Sequence, residues 1–120
     1  MKLHLSIFFI LVLTACNSNK MKREEIPGVY LYSEGGYKLE LREDGTYHHS
    51  YTAAHGNVIE KTGTWELHSF GREILFKDFS FLTSSTAPAD WNSKLRVEGN
   101  KIDLMYDWKD DIYYRRTIKK

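Results

Sequence analysis

Four histidines in the body of the chain are the residues best suited to metal chemistry. They are His48, His49, His55 and His68. A zinc site needs three or four converging nitrogen, sulfur or oxygen donors. His48 and His49 are neighbours in a strand-like segment, so their side chains point to opposite faces. His55 falls in a loop and His68 at the end of a strand. This spacing predicts no metal site, and we expect the histidines to be solvated strand and loop residues.

Carboxylates and hydroxyls offer the other route to catalysis. Asp107, Asp110 and Asp111 cluster at one predicted hairpin, and paired carboxylates can carry out acid–base chemistry. At a turn, however, Asp is favoured because its side chain bonds to the nearby backbone. Residues 84–86 (Ser-Ser-Thr) belong to no nucleophile motif, and no phosphate-binding glycine loop is present. The sequence therefore predicts no catalytic residue, no metal and no cofactor, and a protein that is not an enzyme.

The single cysteine, Cys16, follows a leader of a recognisable kind. Lys2 gives a positive start, residues 5–13 are almost all apolar, and Thr14 and Ala15 are small. A charged start, a short apolar run and a small-residue exit form the layout of a secretory signal peptide. The apolar run is shorter than the roughly 20 residues that a membrane-spanning helix needs. The sequence predicts a signal peptide at residues 1–15.

The four residues Leu13-Thr14-Ala15-Cys16 resemble the lipobox of bacterial lipoproteins. The resemblance implies that the Cys16 sulfur receives a diacylglyceryl group, that the chain is cut before Cys16 and that the new amine is acylated. One acyl chain anchors a protein only marginally, whereas two or more hold it firmly. The resemblance thus implies membrane attachment through Cys16. Asn17, where an Asp would retain the protein at the inner membrane, implies the outer membrane of a Gram-negative envelope, or the outer face of a single membrane.

Charge and cysteine content limit the partners of the chain. Its 17 Lys and Arg nearly balance its 16 Asp and Glu, and removal of Lys2 with the leader makes the two counts equal. Such a balance does not favour nucleic acid as a partner. Residues 16–25 comprise the lipidated Cys16 and a polar stretch that predicts a tether, about ten residues reaching some 33–36 Å when extended. The charged residues 20–25 could instead start a short helix.

The rest of the sequence is rich in aromatic and β-branched residues with turn residues at short intervals, which favours strands. The predicted strands cover residues 26–33, 37–42, 46–51, 58–68, 73–77, 91–97, 101–108 and 112–118. Residues 83–90 are predicted to form the longest loop. Gly63, inside a predicted strand, suggests a bulge or bend.

Eight short strands in sequence predict an all-β domain at residues 26–120. Closing an antiparallel meander into an up-and-down barrel removes its exposed edges, and a two-sheet β-sandwich is the alternative. An eight-stranded barrel is just wide enough for side chains or one small ligand. Because Tyr113 and Tyr114 are adjacent, one of them must face outward.

Two segments resemble bacterial lipocalin-like domains. Residues 39–47 read L-x-L-x-x-D-G-T-Y, and residues 63–67 read G-T-W-x-L. The lipocalin pattern also has Gly-x-Trp on its first strand and an Arg from its last strand packed across it. Here residues 28–30 put Tyr in place of that Trp, and Arg115 or Arg116 could supply the cation, since Arg stacks on aromatic faces. The resemblance implies a lipocalin-like barrel.

Together these features predict a lipid-anchored envelope lipoprotein that acts as a non-catalytic binding module. Its ligand would be a small apolar molecule in the barrel mouth, and the residues expected to take part are Tyr30, Trp65 and Arg116. The alternative is a protein-binding lipoprotein (an inhibitor, immunity or assembly factor) that uses an exposed aromatic face. An enzyme, which needs a concave site with converging polar groups, is third. A cavity favours the first reading, and a filled lumen with an exposed aromatic patch favours the second.

Overall fold

Eight antiparallel strands close into a barrel in the computed structural model, which describes residues 19–83 and 87–118. The strands are β1 (Gly28–Tyr32), β2 (Tyr37–Leu41), β3 (Thr46–Thr52), β4 (Val58–His68), β5 (Glu73–Phe79), β6 (Ala89–Glu98), β7 (Lys101–Asp107) and β8 (Ile112–Thr117). Each strand pairs with the next along the chain, and β8 returns to β1. The prediction of an all-β, eight-stranded, up-and-down barrel is confirmed over the β-sandwich, and the architecture is consistent with a lipocalin-like barrel.

The alternation of apolar and polar residues decides which side chains enter the barrel. In β2, Tyr37, Leu39 and Leu41 are buried, whereas Lys38 between them is exposed. This is the pattern expected of a strand with one face on the core and one in water. Tyr114 is fully buried and its neighbour Tyr113 is not, as the alternation of a strand requires.

The barrel wall is uneven along its circumference. Strand β3 pairs with β4 along its whole length, but β5 pairs only with the last four residues of β4, from Trp65 to His68. At the β1–β8 seam only two register pairs are formed, Leu31 with Arg115 and Tyr32 with Tyr114. From Val58 to Thr64, strand β4 is therefore connected to β5 by side-chain contacts and not by paired backbone hydrogen bonds.

Gly63 lies in the part of β4 that does not pair with β5, and it leaves space there for a side chain from β3. The β3–β4 register runs through Gly63 without a shift, so of the predicted bulge or bend the bulge is not formed. A Cβ at Gly63 would lie 2.4 Å from the Tyr47 ring. The missing side chain lets Tyr47 cross β4 and donate its hydroxyl hydrogen to the Lys77 carbonyl, at 2.7 Å. Burial raises the pKa of Tyr47 to about 12, so this donor keeps its proton.

The segment before β1 packs on the barrel rather than extending away from it. Met21 is only 8% exposed, and its N–H donates to the Gly71 carbonyl at 2.8 Å. The Val97 N–H donates to Asn19 Oδ1 at 2.9 Å. A short 3-10 helix, η1 (Arg23–Glu25), follows. The tether predicted to run to residue 25 is therefore wrong from Asn19 onward, because one apolar side chain in a polar stretch is enough to dock it.

The two ends of the barrel differ in the turns and helices that they carry. The closed end carries η1, a second 3-10 helix η2 (Ser69–Gly71) and the β2–β3 and β6–β7 turns. The opposite end, the mouth, carries the β1–β2 and β3–β4 turns, the connection between β5 and β6, and the β7–β8 turn. The predicted signal peptide and Cys16 lie outside the described residues, so lipidation of Cys16 stays a prediction.

Candidate ligand site at the barrel mouth

Aromatic rings fill the mouth half of the barrel. We call them the mouth cluster, and they are Tyr32, Tyr37, His49, Tyr51, Phe79, Phe81, Trp91, Tyr106 and Tyr114. The centroids of neighbouring rings lie between 4.6 and 6.3 Å apart, in tilted, stacked and edge-to-face arrangements. Such pairs stabilise beyond the area that they bury. The lumen at this level is therefore packed with side chains, and no ligand could occupy it without displacing some of them.

The chain that follows β5 crosses the mouth and closes it from above. The Phe81 ring lies 5.4 Å from the Tyr32 ring and 5.2 Å from the Tyr37 ring, on the far side of the barrel. Thr83 fixes this crossing, because its Oγ1 lies 2.8 Å from the Tyr37 hydroxyl and its N–H donates to the same hydroxyl at 3.1 Å. Residues 80–83 thus form a strap across the lumen.

A cavity of about 400 Å³ opens on the β6–β7 side of this strap. Its lining consists of Phe79, Ser80, Phe81, Ala87, Ala89, Asp90, Trp91, Asn92 and Tyr106. Four aromatic rings form its apolar wall, and Asp90 and Asn92 lie at its polar edge. Cavities that hold small molecules start at about 300 Å³ and combine mostly apolar walls with a few polar groups. The volume of this cavity lies in that range, and its lining combines four aromatic rings with the polar side chains of Ser80, Asp90 and Asn92.

His49 lies under the strap at the centre of the mouth cluster. It is fully buried between Phe79 and Tyr37, with ring centroids 4.6 and 5.0 Å away, and its Nε2 shares a hydrogen bond of 2.8 Å with the Tyr114 hydroxyl. Among the described residues Nδ1 finds no partner of hydrogen-bond geometry. Burial lowers the pKa of His49 to about 4, although the neighbouring Ser80 backbone favours the protonated ring. His49 is therefore neutral at pH 7.

The expectation that all four histidines are solvated is wrong for His49. Its outward neighbour His48 bonds to Glu60 at 2.9 Å, His68 bonds to Glu66 at 2.9 Å, and His55 is exposed. His49 alone is in phase with the buried Tyr47 of the same strand, which is the signal that could have identified it. Within residues 19–83 and 87–118 no three His, Cys, Asp or Glu side chains converge as metal ligands do.

Tyr30 and Arg116, two of the predicted site residues, lie together at the closed end. The Arg116 guanidinium carbon lies 5.4 Å from the centre of the Tyr30 ring, and its Nη2 donates to the Glu25 carbonyl. The Tyr30 hydroxyl donates to the Ile26 carbonyl at 2.6 Å, and burial raises the Tyr30 pKa. Both side chains therefore contact the protein itself, at the end of the barrel remote from the cavity.

Trp65, the third predicted residue, is also part of the closed end. Its indole N–H donates to the Arg42 carbonyl at 3.0 Å, and Arg23 of η1 stacks on its ring at 4.6 Å. The arrangement of Tyr30, Trp65 and Arg116 holds η1 over the end of the barrel. In this structure the three residues support the fold, and the cavity is lined by residues that the sequence did not single out.

We expect Arg116→Ala to destabilise the fold without affecting the mouth. The substitution removes a cation from the Tyr30 ring and a donor from the Glu25 carbonyl, which together should lower the free energy of unfolding by about 1–2 kcal/mol. Urea unfolding measures this loss, and Arg42→Ala, which removes an exposed Arg42–Glu40 pair, should change it little. A stable Arg116→Ala protein that no longer binds a mouth ligand would contradict this assignment.

The carboxylates near residue 107 have structural partners. Asp107 Oδ1 accepts hydrogen bonds from the backbone N–H groups of Lys109 and Asp110, at 3.0 and 3.1 Å, as the turn prediction requires. Asp111 pairs with Arg96. The Ser-Ser-Thr segment at 84–86 lies outside the described residues.

A polar cluster joins the outer faces of β6, β7 and β8. The buried Asp103 carboxylate accepts from Arg115 Nε at 2.6 Å and from Arg96 Nε at 3.0 Å. Its hydrogen bonds raise the pKa of Arg115. The Tyr113 ring lies between the two guanidinium groups, at 5.2 and 4.7 Å from their carbons. These contacts join the strands on either side of β7.

Comparison of the chain with known protein families, with curated proteins and with solved structures finds no match. No helix among the described residues is long and apolar enough to cross a bilayer.

Proposed function

We propose that the protein is a lipid-anchored, non-catalytic binding module of the cell envelope that takes a small apolar ligand at the barrel mouth. The observation that carries the proposal is the cavity of about 400 Å³ beside the strap, with Phe79, Phe81, Trp91 and Tyr106 in its wall. Aromatic walls bind flat apolar groups through burial and edge or face contacts. A compact, largely aromatic or apolar molecule fits this wall best.

The polar edge of the cavity sets the orientation of the ligand. Asp90 accepts from the Asp78 N–H at 3.2 Å and lies 3.6 Å from the Lys77 ammonium, while its side chain stays half exposed. Asn92 donates to Glu73 at 2.8 Å. Both side chains are already held by protein partners, so they offer a pre-ordered polar rim. We expect the ligand to place its apolar body against Tyr106 and Trp91 and a polar group toward this rim.

The proposed anchor is supported by the leader and by the lone thiol. The L-T-A-C run at residues 13–16 resembles the lipobox, and Cys16 is the only cysteine of the chain. Acyl chains on Cys16 would hold the barrel at a membrane with no spanning segment. The envelope location follows from the same leader.

Protein binding through an aromatic face is the second candidate function. Trp108 is 53% exposed in the β7–β8 turn, and the Arg96 guanidinium lies 5.8 Å from its ring. Trp, Tyr and Arg are the residue types that most often dominate protein interfaces. The packed lumen also favours this reading. The cavity favours the small ligand. Binding of a small ligand should depend on Tyr106, whereas binding of a protein should depend on Trp108.

We expect Tyr106→Ser to weaken binding of a neutral aromatic probe about tenfold, which corresponds to roughly 1.4 kcal/mol. Tyr106 is 44% exposed and lines the cavity, packing edge-to-face on Phe81 at 5.0 Å. The measurement is a fluorescence titration of residues 17–120, produced without lipid, with N-phenyl-1-naphthylamine. Omitting the acyl chains prevents the probe from partitioning into them.

Trp108→Ser is the matched control, since Trp108 is an exposed aromatic residue of the β7–β8 turn that lines a different groove, with Asn19, Arg72 and Lys94. Its probe affinity should equal that of the unmodified sequence. Equal affinity in all three proteins, or a loss confined to Trp108→Ser, would overturn the small-ligand proposal.

A further inference from the structure

The closed end exposes one large aromatic side chain in a strained conformation. Phe70 in η2 is 90% exposed. Its φ and ψ are 56° and 40°, and Ser69 before it also has a left-handed φ of 55°. Each non-glycine residue in this region carries a strain of roughly 1 kcal/mol or more. The fold thus maintains an unfavourable backbone that directs an apolar ring into solvent.

The turn that presents Phe70 is bonded to the segment leading from Cys16. The Gly71 carbonyl accepts from the Met21 N–H at 2.8 Å, and a Cβ on Gly71 would lie 2.4 Å from the Met21 carbonyl oxygen. Lys20, Met21 and Lys22 line a shallow groove together with Leu67 and Phe70. Phe70 and the incoming chain therefore share one surface.

Covalent geometry limits how far this surface can be from the lipid. Asn19 is fixed to β6 through its hydrogen bond from the Val97 N–H. Three Cα–Cα steps of 3.8 Å separate residues 16 and 19, so their Cα atoms are at most about 11 Å apart. An acylated Cys16 lies at the level of the lipid headgroups, and the closed end is held against the same layer.

We infer that the closed end of the barrel docks on the bilayer surface, with Phe70 inserted at the interface and the mouth directed away from the membrane. This inference rests on the proposed lipid anchor. Residues 20–25 carry two lysines, one arginine and two glutamates, so the surface is close to neutral. Docking therefore depends on the ring and the acyl chains rather than on anionic lipid, and salt should affect it little.

The test uses the acylated protein that begins at Cys16, in phosphatidylcholine vesicles with and without phosphatidylglycerol. An acylated Cys16 has no free thiol, so a thiol-specific spin label reports only on an introduced cysteine. Ser69→Cys places the label beside Phe70, and His55→Cys places it on the exposed β3–β4 turn at the mouth. We expect a several-fold lower accessibility to an aqueous nickel complex at position 69 than at position 55, and a higher accessibility to oxygen, in both lipids.

Two further variants separate docking from mere proximity. Phe70→Ser in the Ser69→Cys protein should raise the nickel accessibility at position 69, whereas Val58→Ser, which removes an exposed apolar residue at the mouth, should not. A flexible Gly/Ser spacer between Ser18 and Asn19 should also raise the nickel accessibility at position 69. A longer linker lowers the effective concentration of the closed end at the bilayer surface.

The outcomes distinguish this inference from the proposal on which it rests. Equal nickel accessibility at positions 69 and 55 in vesicle-bound, acylated protein would overturn the docking and leave the anchor intact. Intact mass showing an unmodified Cys16 would overturn the anchor and the docking together.

Discussion

Cys16→Ser is expected to abolish lipid modification and cleavage before residue 16. One acyl chain gives only marginal, reversible membrane binding, whereas two or more anchor a protein stably, so the loss of two or three chains removes the whole basis of stable membrane attachment. Residues 17–120 exported behind an ordinary secretory signal should accordingly fractionate with soluble envelope proteins. Cell fractionation measures the membrane attachment, and intact mass measures the acylation and the cleavage. We expect the acylated protein with the native sequence to be recovered entirely with membranes.

Ser18→Ala is the matched control, since it changes a neighbouring small polar residue and leaves L-T-A-C complete. It should be cut and acylated normally. If the Cys16→Ser protein were still cut before residue 16, or if the exported residues 17–120 still pelleted with membranes, the anchor would have to be placed elsewhere in the chain.

Acid is expected to destabilise the barrel through His49. In the unfolded chain a histidine has a pKa of about 6.5, whereas burial lowers the pKa of His49 to about 4 in the folded protein. Between these values the unfolded state binds a proton that the folded state does not, so stability falls as the pH falls. The contribution is fully present above about pH 6.5, and about 3 kcal/mol of it is lost by about pH 4.

The double variant His49→Phe/Tyr114→Phe should remove this dependence. It keeps the stacking on Tyr37 and Phe79 and replaces both members of the His49–Tyr114 hydrogen bond, a change that can be nearly neutral in stability. Urea unfolding between pH 7 and pH 4 should therefore show a much flatter profile than the unmodified protein.

His48→Gln, which alters the outward neighbour bonded to Glu60, should keep the full pH dependence. Nearby Lys61 also lowers the His49 pKa, although burial is the larger cause. A pH profile that the double variant leaves unchanged would contradict the buried, neutral His49 of this structure.

The strands could be predicted because their signal is local. Strand β4 begins and ends at the predicted residues, and the other seven agree to within two residues at either end. Alternation and turn residues report on neighbours along the chain. The inward phase of Ile102 and Leu104 is readable in the same way.

The candidate site could not be predicted because its signal is tertiary. Phe81 lies in a loop with no periodicity, and only the folded barrel brings it over Tyr32 and Tyr37. Gly63 resembles a bend in sequence but provides space for a ring from another strand. Tyr30, Trp65 and Arg116 are predicted from the resemblance to lipocalin-like domains. In the structure they lie at the closed end, opposite the cavity. Met21 shows the same limit, since a single apolar residue gives no pattern.

Native mass spectrometry of the protein gently extracted from its own membranes detects the acyl groups on Cys16 and a bound small molecule in one measurement. We predict a chain that begins at Cys16 and carries two or three acyl groups, with a non-covalent small-molecule adduct that is diminished in Tyr106→Ser and retained in Trp108→Ser. A chain with an unmodified Cys16 would contradict the anchor, and a spectrum without any small-molecule adduct, or with one that Tyr106→Ser leaves unchanged, would contradict ligand binding at the mouth.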